Sequence, residues 1–252
     1  MKKRLLYGIV SLCLVIVGFF TYFLSNNSKR NNEIALNAEV ELNLNCGSAY
    51  LIEESTGKVL YSQNELTKMH PASMTKMMGL ILVCEAITQD NIKLDDIISI
   101  SLEASKMGGS QVFLQPLEQI SVDELLKCVC IASANDAMYA LSEVVGTTNE
   151  NFIKMMNEKA RTLKLSNTNF VNVTGFDDDN HYTCAKDMAL IAVELLKYKD
   201  LILPYTSLYD SHIRTDTDNP FWLVNTNKMV KFYDGMDGLK TGDLILYCTA
   251  FK

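Results

Sequence analysis

The chain has 252 residues, 48% hydrophobic and 21% charged, a composition that excludes a wholly disordered or collagen-like protein. Its formal net charge of −7 is unevenly spread: 23 Lys and Arg stand against 30 Asp and Glu, and the first thirty residues hold five bases and no acid. The rest of the chain therefore carries 18 bases against 30 acids. Such a body is a poor nucleic-acid binder, because neutralising phosphates needs clustered cations.

Lys2, Lys3 and Arg4 precede residues 5–24, a run with no charged side chain. As a helix that run would be about 30 Å long, the thickness of a bilayer's hydrocarbon core. The basic residues before it place the rest of the chain outside the cell. Residues 1–25 read as a retained membrane anchor or a cleaved signal peptide. No A-x-A-like cleavage site follows, only Ser25-Asn26-Asn27-Ser28. Residues 26–45 form a polar linker, and 46–252 the folded domain. The exported compartment permits disulfides. Yet none of the seven cysteines lies in a C-x-x-C, and no Cys/His cluster has zinc-ligand spacing. Cys84, Cys128 and Cys130 sit in apolar runs and read as small buried hydrophobes. His70, His181 and His212 are scattered and read as structural residues. No metal or cofactor is expected.

Residues 49–52 and 59–61 read as two strands joined by Glu54-Ser55-Thr56-Gly57, a hairpin. Residues 74–87, behind Pro71, are hydrophobic almost all round and predict a helix buried in the middle of the domain. Ser121 to Glu124 has capping-box spacing in front of a helix to Ala132. A helix over 136–145 is expected to stop at Gly146 in the left-handed C′ position. An amphipathic helix covers 149–165, with Phe152, Ile153, Met156, Ala160 and Leu163 on one face, and another covers 185–197, starting near Thr183. The tail, 222–251, reads as short strands. Strands at both ends with helices between predict an α+β domain, with one antiparallel sheet from both chain ends covered by helices.

Three short motifs carry chemistry: Ser73-x-x-Lys76, Ser133-x-Asn135 and Lys240-Thr241-Gly242. Singly they are weak. S-x-x-K recurs at Ser55 and Lys58, and S-x-N at Ser25 and Ser62. Context separates them. Ser73 lies at the start of the buried helix, whereas Ser55 lies in a turn. Ser133 lies at the break between two helices, and Lys240 in a strand-like tail. A serine hydroxyl is a weak nucleophile until a base takes its proton. At i and i+3, Ser73 and Lys76 share a helix face. Burial of Lys76 beside another cation would lower its pKa and let it act as that base. A Lys followed by Thr on a strand offers a charge and a hydroxyl to a substrate carboxylate.

The chain resembles the serine-type D-alanyl-D-alanine carboxypeptidases, low-molecular-mass penicillin-binding proteins of the penicillin-recognising superfamily. The resemblance spans nearly all of 46–242. It includes HPASMTKM (70–77), GGSQVFL (108–114), IASANDA (131–137), NTNFVN (167–172), HYTCAKDMALIA (181–192), NTNKMV (225–230) and DGLKTG (237–242). It implies a β-lactamase/DD-peptidase-like fold. Ser73 would attack the carbonyl between the terminal D-alanines of a peptidoglycan stem peptide, with Lys76 as base. Ser133 would relay a proton to the leaving D-alanine, and Asn135 would bond the substrate backbone and Lys76. Lys240 and Thr241 of the K-T-G would hold the terminal carboxylate. The backbone N–H groups of Ser73 and of Asp243, the residue after Gly242, would form the oxyanion hole. β-Lactams would acylate Ser73 as mimics of D-Ala-D-Ala, on the outer face of the cell membrane or after secretion.

Two departures from the family pattern stand out. The family follows K-T-G with an aromatic residue, further strands and a closing helix, whereas here Asp243-Leu-Ile-Leu-Tyr247-Cys248 leads to Lys252. This predicts an incomplete, catalytically impaired homologue as the second reading. Leu117 stands where the family tends to have glycine in a P-G-E turn. A serine β-lactamase ranks third, because no E-x-x-L-N-like loop lies between Ser133 and Lys240.

Overall fold

A computed structural model describes residues 42, 44–242 and 247–248. The 5–24 run, most of the linker and Asp243 lie outside the described residues. The compact unit begins at Cys46. Its strands are β1 (Ala49–Ile52), β2 (Val59–Gln63), β3 (Ile97–Ser99), β4 (Gln119–Ser121), β5 (Asp210–Ile213), β6 (Phe221–Val224), β7 (Lys240–Thr241) and β8 (Tyr247–Cys248). Its helices are α1 (Lys76–Thr88), α2 (Leu102–Ser105), α3 (Val122–Ala132), α4 (Asn135–Gly146), α5 (Asn149–Thr162), α6 (Ala185–Leu195), α7 (Lys199–Thr206) and α8 (Met229–Phe232). The α+β class holds, but the single sheet does not: the described strands form four separate antiparallel pairs, β1–β2, β3–β4, β5–β6 and β7–β8. Among the described residues no ladder joins β1–β2 to the two-residue pair β7–β8, so the two chain ends do not share one sheet.

The core is built around α1. Every residue from Lys76 to Cys84 is buried, so this part of the helix has no solvent face. It packs against α4, α5 and α6, and α3 backs α4. Lys159 of α5 closes the bundle by bridging Glu85 of α1 and Glu194 of α6, at 3.1 Å from the latter. The thiols of Cys84, Cys128, Cys130 and Cys184 are free and buried, and Cys46 is free and partly covered. Burial pushes the Cys130 thiol up to about 12.

Local chemistry sets the helix ends. Ser121 Oγ accepts from Glu124 N at 3.2 Å, the expected cap of α3. The Glu124 carboxylate also accepts from Arg214 N at 2.8 Å, so the cap is tied to the hairpin that follows β5. Helix α6 is capped by the Cys184 sulfur, which accepts from Asp187 N, rather than by Thr183, whose backbone pairs with Met69. Gly146 is the last residue of α4, and Thr147, at φ +66°, takes the cap position. The glycine serves packing instead: a Cβ there would lie 2.7 Å from Phe152 Cβ and 2.8 Å from Phe152 N.

The long loops are held by buried polar groups. His181 has no exposed surface. Its Nδ1 accepts from Val171 N at 3.1 Å, which leaves the proton on Nε2 to be donated to Thr75 Oγ1 at 2.7 Å. Burial lowers its pKa to about 4. The imidazole is therefore neutral in the fold and joins the 171–183 loop to the residue two beyond Ser73.

Two predictions follow from these loops. Leu117 is the third residue of the Gln115–Glu118 turn, at φ +64° and 78% exposed. A left-handed non-glycine residue costs about 1–2 kcal/mol, partly offset by the entropy glycine adds to the unfolded chain. Leu117→Gly is expected to stabilise the protein by about 0.5–1 kcal/mol in urea unfolding; a lower midpoint would show that the turn is unstrained. Protonating His181 favours the unfolded chain, so the stability it supplies is complete above about pH 6.5 and drains away as pH falls towards 4. Wild type is expected to lose about 2–3 kcal/mol more than His181→Gln between pH 7 and 4.5; identical losses would remove the assignment.

Candidate active site

Ser73 lies in a 3-10 turn, Ala72–Thr75, that runs directly into α1. The α-helix thus begins at Lys76, and Ser73 precedes it rather than opening it. In a 3-10 turn residues i and i+3 eclipse, which stacks the serine over the lysine. Lys76 Nζ stands 2.9 Å from Ser73 Oγ and donates to Thr174 O at 2.9 Å. Lys76 has no exposed surface. Its pKa is held well below the ordinary lysine value, first by burial and then by the charge of Lys240, with Asp136 opposing. A neutral amine beside a serine hydroxyl can accept its proton.

The turn is wedged from two sides. Ala72 sits at φ +48°. Gly175, at φ +94°, presses on it so closely that a Cβ would fall 1.8 Å from Ala72 O. On the other side runs the K-T-G strand, where a Cβ on Gly242 would lie 3.1 Å from Pro71 O. Lys240 is buried and donates to Thr241 O at 2.9 Å, and burial lowers its pKa to about 8. Thr241 Oγ1 donates to Thr226 Oγ1 at 2.7 Å.

Ser133 ends α3 in the left-handed region, φ +61°. This breaks the helix and turns its side chain away from the α3 face. Its Oγ and the Oδ1 of Asn135 are buried and have no hydrogen-bond partner among the described residues. An unmet buried polar atom costs roughly 1–3 kcal/mol, which a ligand's complementary groups can recover. Asn135 does not hold Lys76 as the resemblance implied. Its Nδ2 donates to Gly108 O at 2.7 Å, and the lysine's second partner is the Thr174 carbonyl. The amide is committed to the 108–114 loop, which leaves only Oδ1 for a ligand. Asp243, the implied oxyanion donor, lies outside the described residues.

Several positioning residues were not singled out from sequence. Asn172 Oδ1 accepts from Gly175 N at 2.7 Å, Phe176 N at 3.1 Å and Thr174 N at 3.2 Å. This fold of the loop aims Thr174 O at Lys76. The N-x-x-G spacing was its only sequence signal. Asp136, fully buried, accepts from Val112 N and Leu114 N, each at 3.1 Å, and anchors the 108–114 loop to α4. Arg214 clamps the same loop, donating to both Glu118 oxygens at 2.6 and 3.1 Å and to Val112 O at 3.1 Å. The competing Ser55 lies in the exposed β1–β2 turn, bonded to Glu53.

Known proteins resemble this chain in sequence and fold. The family model described as D-alanyl-D-alanine carboxypeptidase, peptidase S11, matches residues 35–244. The D-alanyl-D-alanine carboxypeptidase DacF of Bacillus subtilis is 45% identical over 240 residues, 95% of this chain and 59% of its own length. DacC of Escherichia coli is 36% identical over 200 residues, covering 76% of this chain and 48% of its own. Penicillin binding protein 5 from Haemophilus influenzae superposes with a TM-score of 0.75 at 29% identity, over 81% of this chain and 59% of its own. Penicillin-binding protein D2 from Listeria monocytogenes, solved in an ampicillin-bound form, gives 0.70 at 28%, over 84% of each chain. The chain thus spans about half to three-fifths of the curated relatives it matches. Because that family model covers most of the chain and DacF is 45% identical over 95% of it, the chain belongs to the peptidase S11 family of D-alanyl-D-alanine carboxypeptidases.

Proposed function

We propose that this protein is a serine carboxypeptidase that removes the terminal D-alanine from peptidoglycan stem peptides and is acylated by β-lactams. The observation that carries the reading is the buried Lys76 amine, 2.9 Å from Ser73 Oγ. Ser73 Oγ attacks the carbonyl of the penultimate D-alanine while Lys76 takes its proton. The backbone N–H of Ser73 supplies one donor to the oxyanion. Ser133 passes a proton to the amine of the leaving D-alanine, and Asn135 Oδ1 accepts an N–H of the substrate backbone. Lys240 and Thr241 hold the terminal carboxylate. Water then hydrolyses the acyl-enzyme. The relatives' names support the substrate class, and the ampicillin-bound neighbour supports β-lactam binding.

A fluorescent penicillin is expected to label Ser73, read by peptide mapping, and Ser73→Ala to abolish the label. Lys76→Arg replaces an amine that can give up its proton with a permanent cation that cannot act as a base, so acylation should slow by about 10²–10⁴. Label at Ser55, or near-native acylation of Lys76→Arg, would overturn the roles.

The same reading places the domain on the outer face of the cell membrane, held by the uncharged 5–24 run behind three basic residues. Cell fractionation is expected to leave the full-length chain in the membrane fraction, open to external protease. A shortened soluble product would identify the run as a cleaved signal instead.

A further inference from the structure

Residues 113–119 and the β5–β6 hairpin line a cleft of about 910 Å³. Sites for small ligands run from roughly 300 to 1,000 Å³. Ser73, Lys76, Ser133 and Lys240 do not line this cleft. The 108–114 loop joins it to them: the loop accepts the Asn135 amide at Gly108 O and carries Phe113 into the cleft near its other end.

Phe113 is the unusual residue. Val112 and Leu114 are buried, with their N–H groups on Asp136, while Phe113 between them is 57% exposed. Its φ is +58°, a conformation that a bulky side chain rarely takes. Arg214, also in the cleft wall and at the same φ, donates to Val112 O at 3.1 Å and to Phe113 O at 3.3 Å. Gln115 Nε2 donates to Phe113 O at 3.0 Å as well. The strained peptide is thus fixed by named bonds, and it turns an aromatic ring out into water, edge-to-face with Phe221 at 6.2 Å. Strain that neighbours over-determine, at an exposed aromatic side chain lining a cleft, points to a ligand.

The rest of the lining indicates what the ring would meet. Most of its charged side chains are engaged within the wall: Glu118 pairs with Arg214, Asp123 with Lys127 at 2.6 Å, and Glu124 accepts from Arg214 N. The cleft is therefore better matched to a neutral polar ligand than to an ion. Gln115 and Gln119 each donate Nε2 to the carbonyl two residues back, of Phe113 and Leu117, which fixes the amides and leaves each Oε1 to accept from a ligand. An aromatic face beside fixed neutral acceptors suits a pyranose. The sugar's C–H groups carry partial positive charge and lie against the negative face of the ring, while its hydroxyl and acetamido N–H groups donate to the amide oxygens. Peptidoglycan stem peptides are carried on a strand of N-acetylated amino sugars. We propose that this cleft binds that glycan, with Phe113 as the stacking platform and Gln115 and Gln119 as its polar contacts, so that the protein grips the sugar strand apart from the site that acts on the peptide. The choice of polymer rests on the reading above.

The test titrates the full chain, in detergent, with chitotetraose, a β-1,4-linked tetramer of N-acetylglucosamine, and follows binding by NMR. Saturable binding is expected. Phe113→Ala should weaken it about tenfold, through lost stacking and lost apolar contact, and Phe113→Trp should keep it. Gln119→Leu removes one neutral acceptor without touching the 108–114 loop and should weaken binding about threefold to tenfold, so the proposal stays testable if Phe113→Ala does not fold. Acylating Ser73 with benzylpenicillin should leave the affinity for the sugar unchanged. No saturable binding would overturn the proposal, as would native affinity in both Phe113→Ala and Gln119→Leu. Loss of sugar binding on acylation would place the sugar in the catalytic site and overturn it too. The titration needs no turnover: if penicillin fails to label Ser73, the proposed reaction fails while the sugar affinities still decide this inference.

Discussion

A lysine amine kept out of water is the constraint around which this domain is arranged. An ordinary lysine at neutral pH is an ammonium and no base. Stripping water from it disfavours the charged form, and a second cation nearby disfavours it further. Helix α1 achieves the first by being apolar on every side, so that Lys76 enters the core with the helix. The K-T-G strand achieves the second by bringing Lys240 close. The neutral amine then needs hydrogen-bond partners, and it has two, Ser73 Oγ and the Thr174 carbonyl. Most of the surrounding loop structure serves to present that carbonyl.

That presentation is strained. Ala72, Ser133 and Leu239 all adopt positive φ without being glycine. Each lies in or next to one of the three motifs. Conformations of this kind cost of order 1–3 kcal/mol and persist only where neighbours over-determine them. Here the neighbours are specific. Gly175 seats against Ala72 because it has no Cβ. The side-chain oxygen Oδ1 of Asn172 gathers the N–H groups of the 174–176 loop. His181 bolts that loop's stem to Thr75. On the opposite wall, Asp136 and Arg214 together hold the loop that engages Asn135. The site's geometry is therefore paid for by buried polar bonds from residues that perform no chemistry.

The charges are placed with equal economy. Asp136 opposes the depression of the Lys76 pKa, and its oxygens are engaged by backbone N–H groups. Those bonds stabilise its carboxylate against the desolvation that raises its pKa. Among the described residues, Ser133 Oγ and Asn135 Oδ1 are left unmet where the other buried side-chain polar atoms are paired. Polar groups held out of water without partners are pre-organised for a ligand, because they have no existing bond to give up.

The sequence by itself determined the principal elements and the motifs that the structure brings together. The apolar run behind Ser73, the Ser121 cap of α3, the hairpin at β1–β2 and the spacing of the three motifs are local properties, written in side-chain periodicity and turn residues. At Leu117 the family resemblance showed only that a leucine stands where glycine is usual, and the structure supplied its φ of +64°. Tertiary structure alone decided what lies between those elements. Nothing local indicates that Lys76 would turn to Thr174, 98 residues away, and not to Asn135, or that Arg214 would clamp a loop about 100 residues earlier. The same holds for Gly146 and Gly175, whose missing Cβ atoms answer to Phe152 and to Ala72. Nor could the pattern tell that the strands would stay in four pairs. Such contacts join residues far apart in the chain, and their energies come from burial and steric fit, which exist only once the chain has closed on itself.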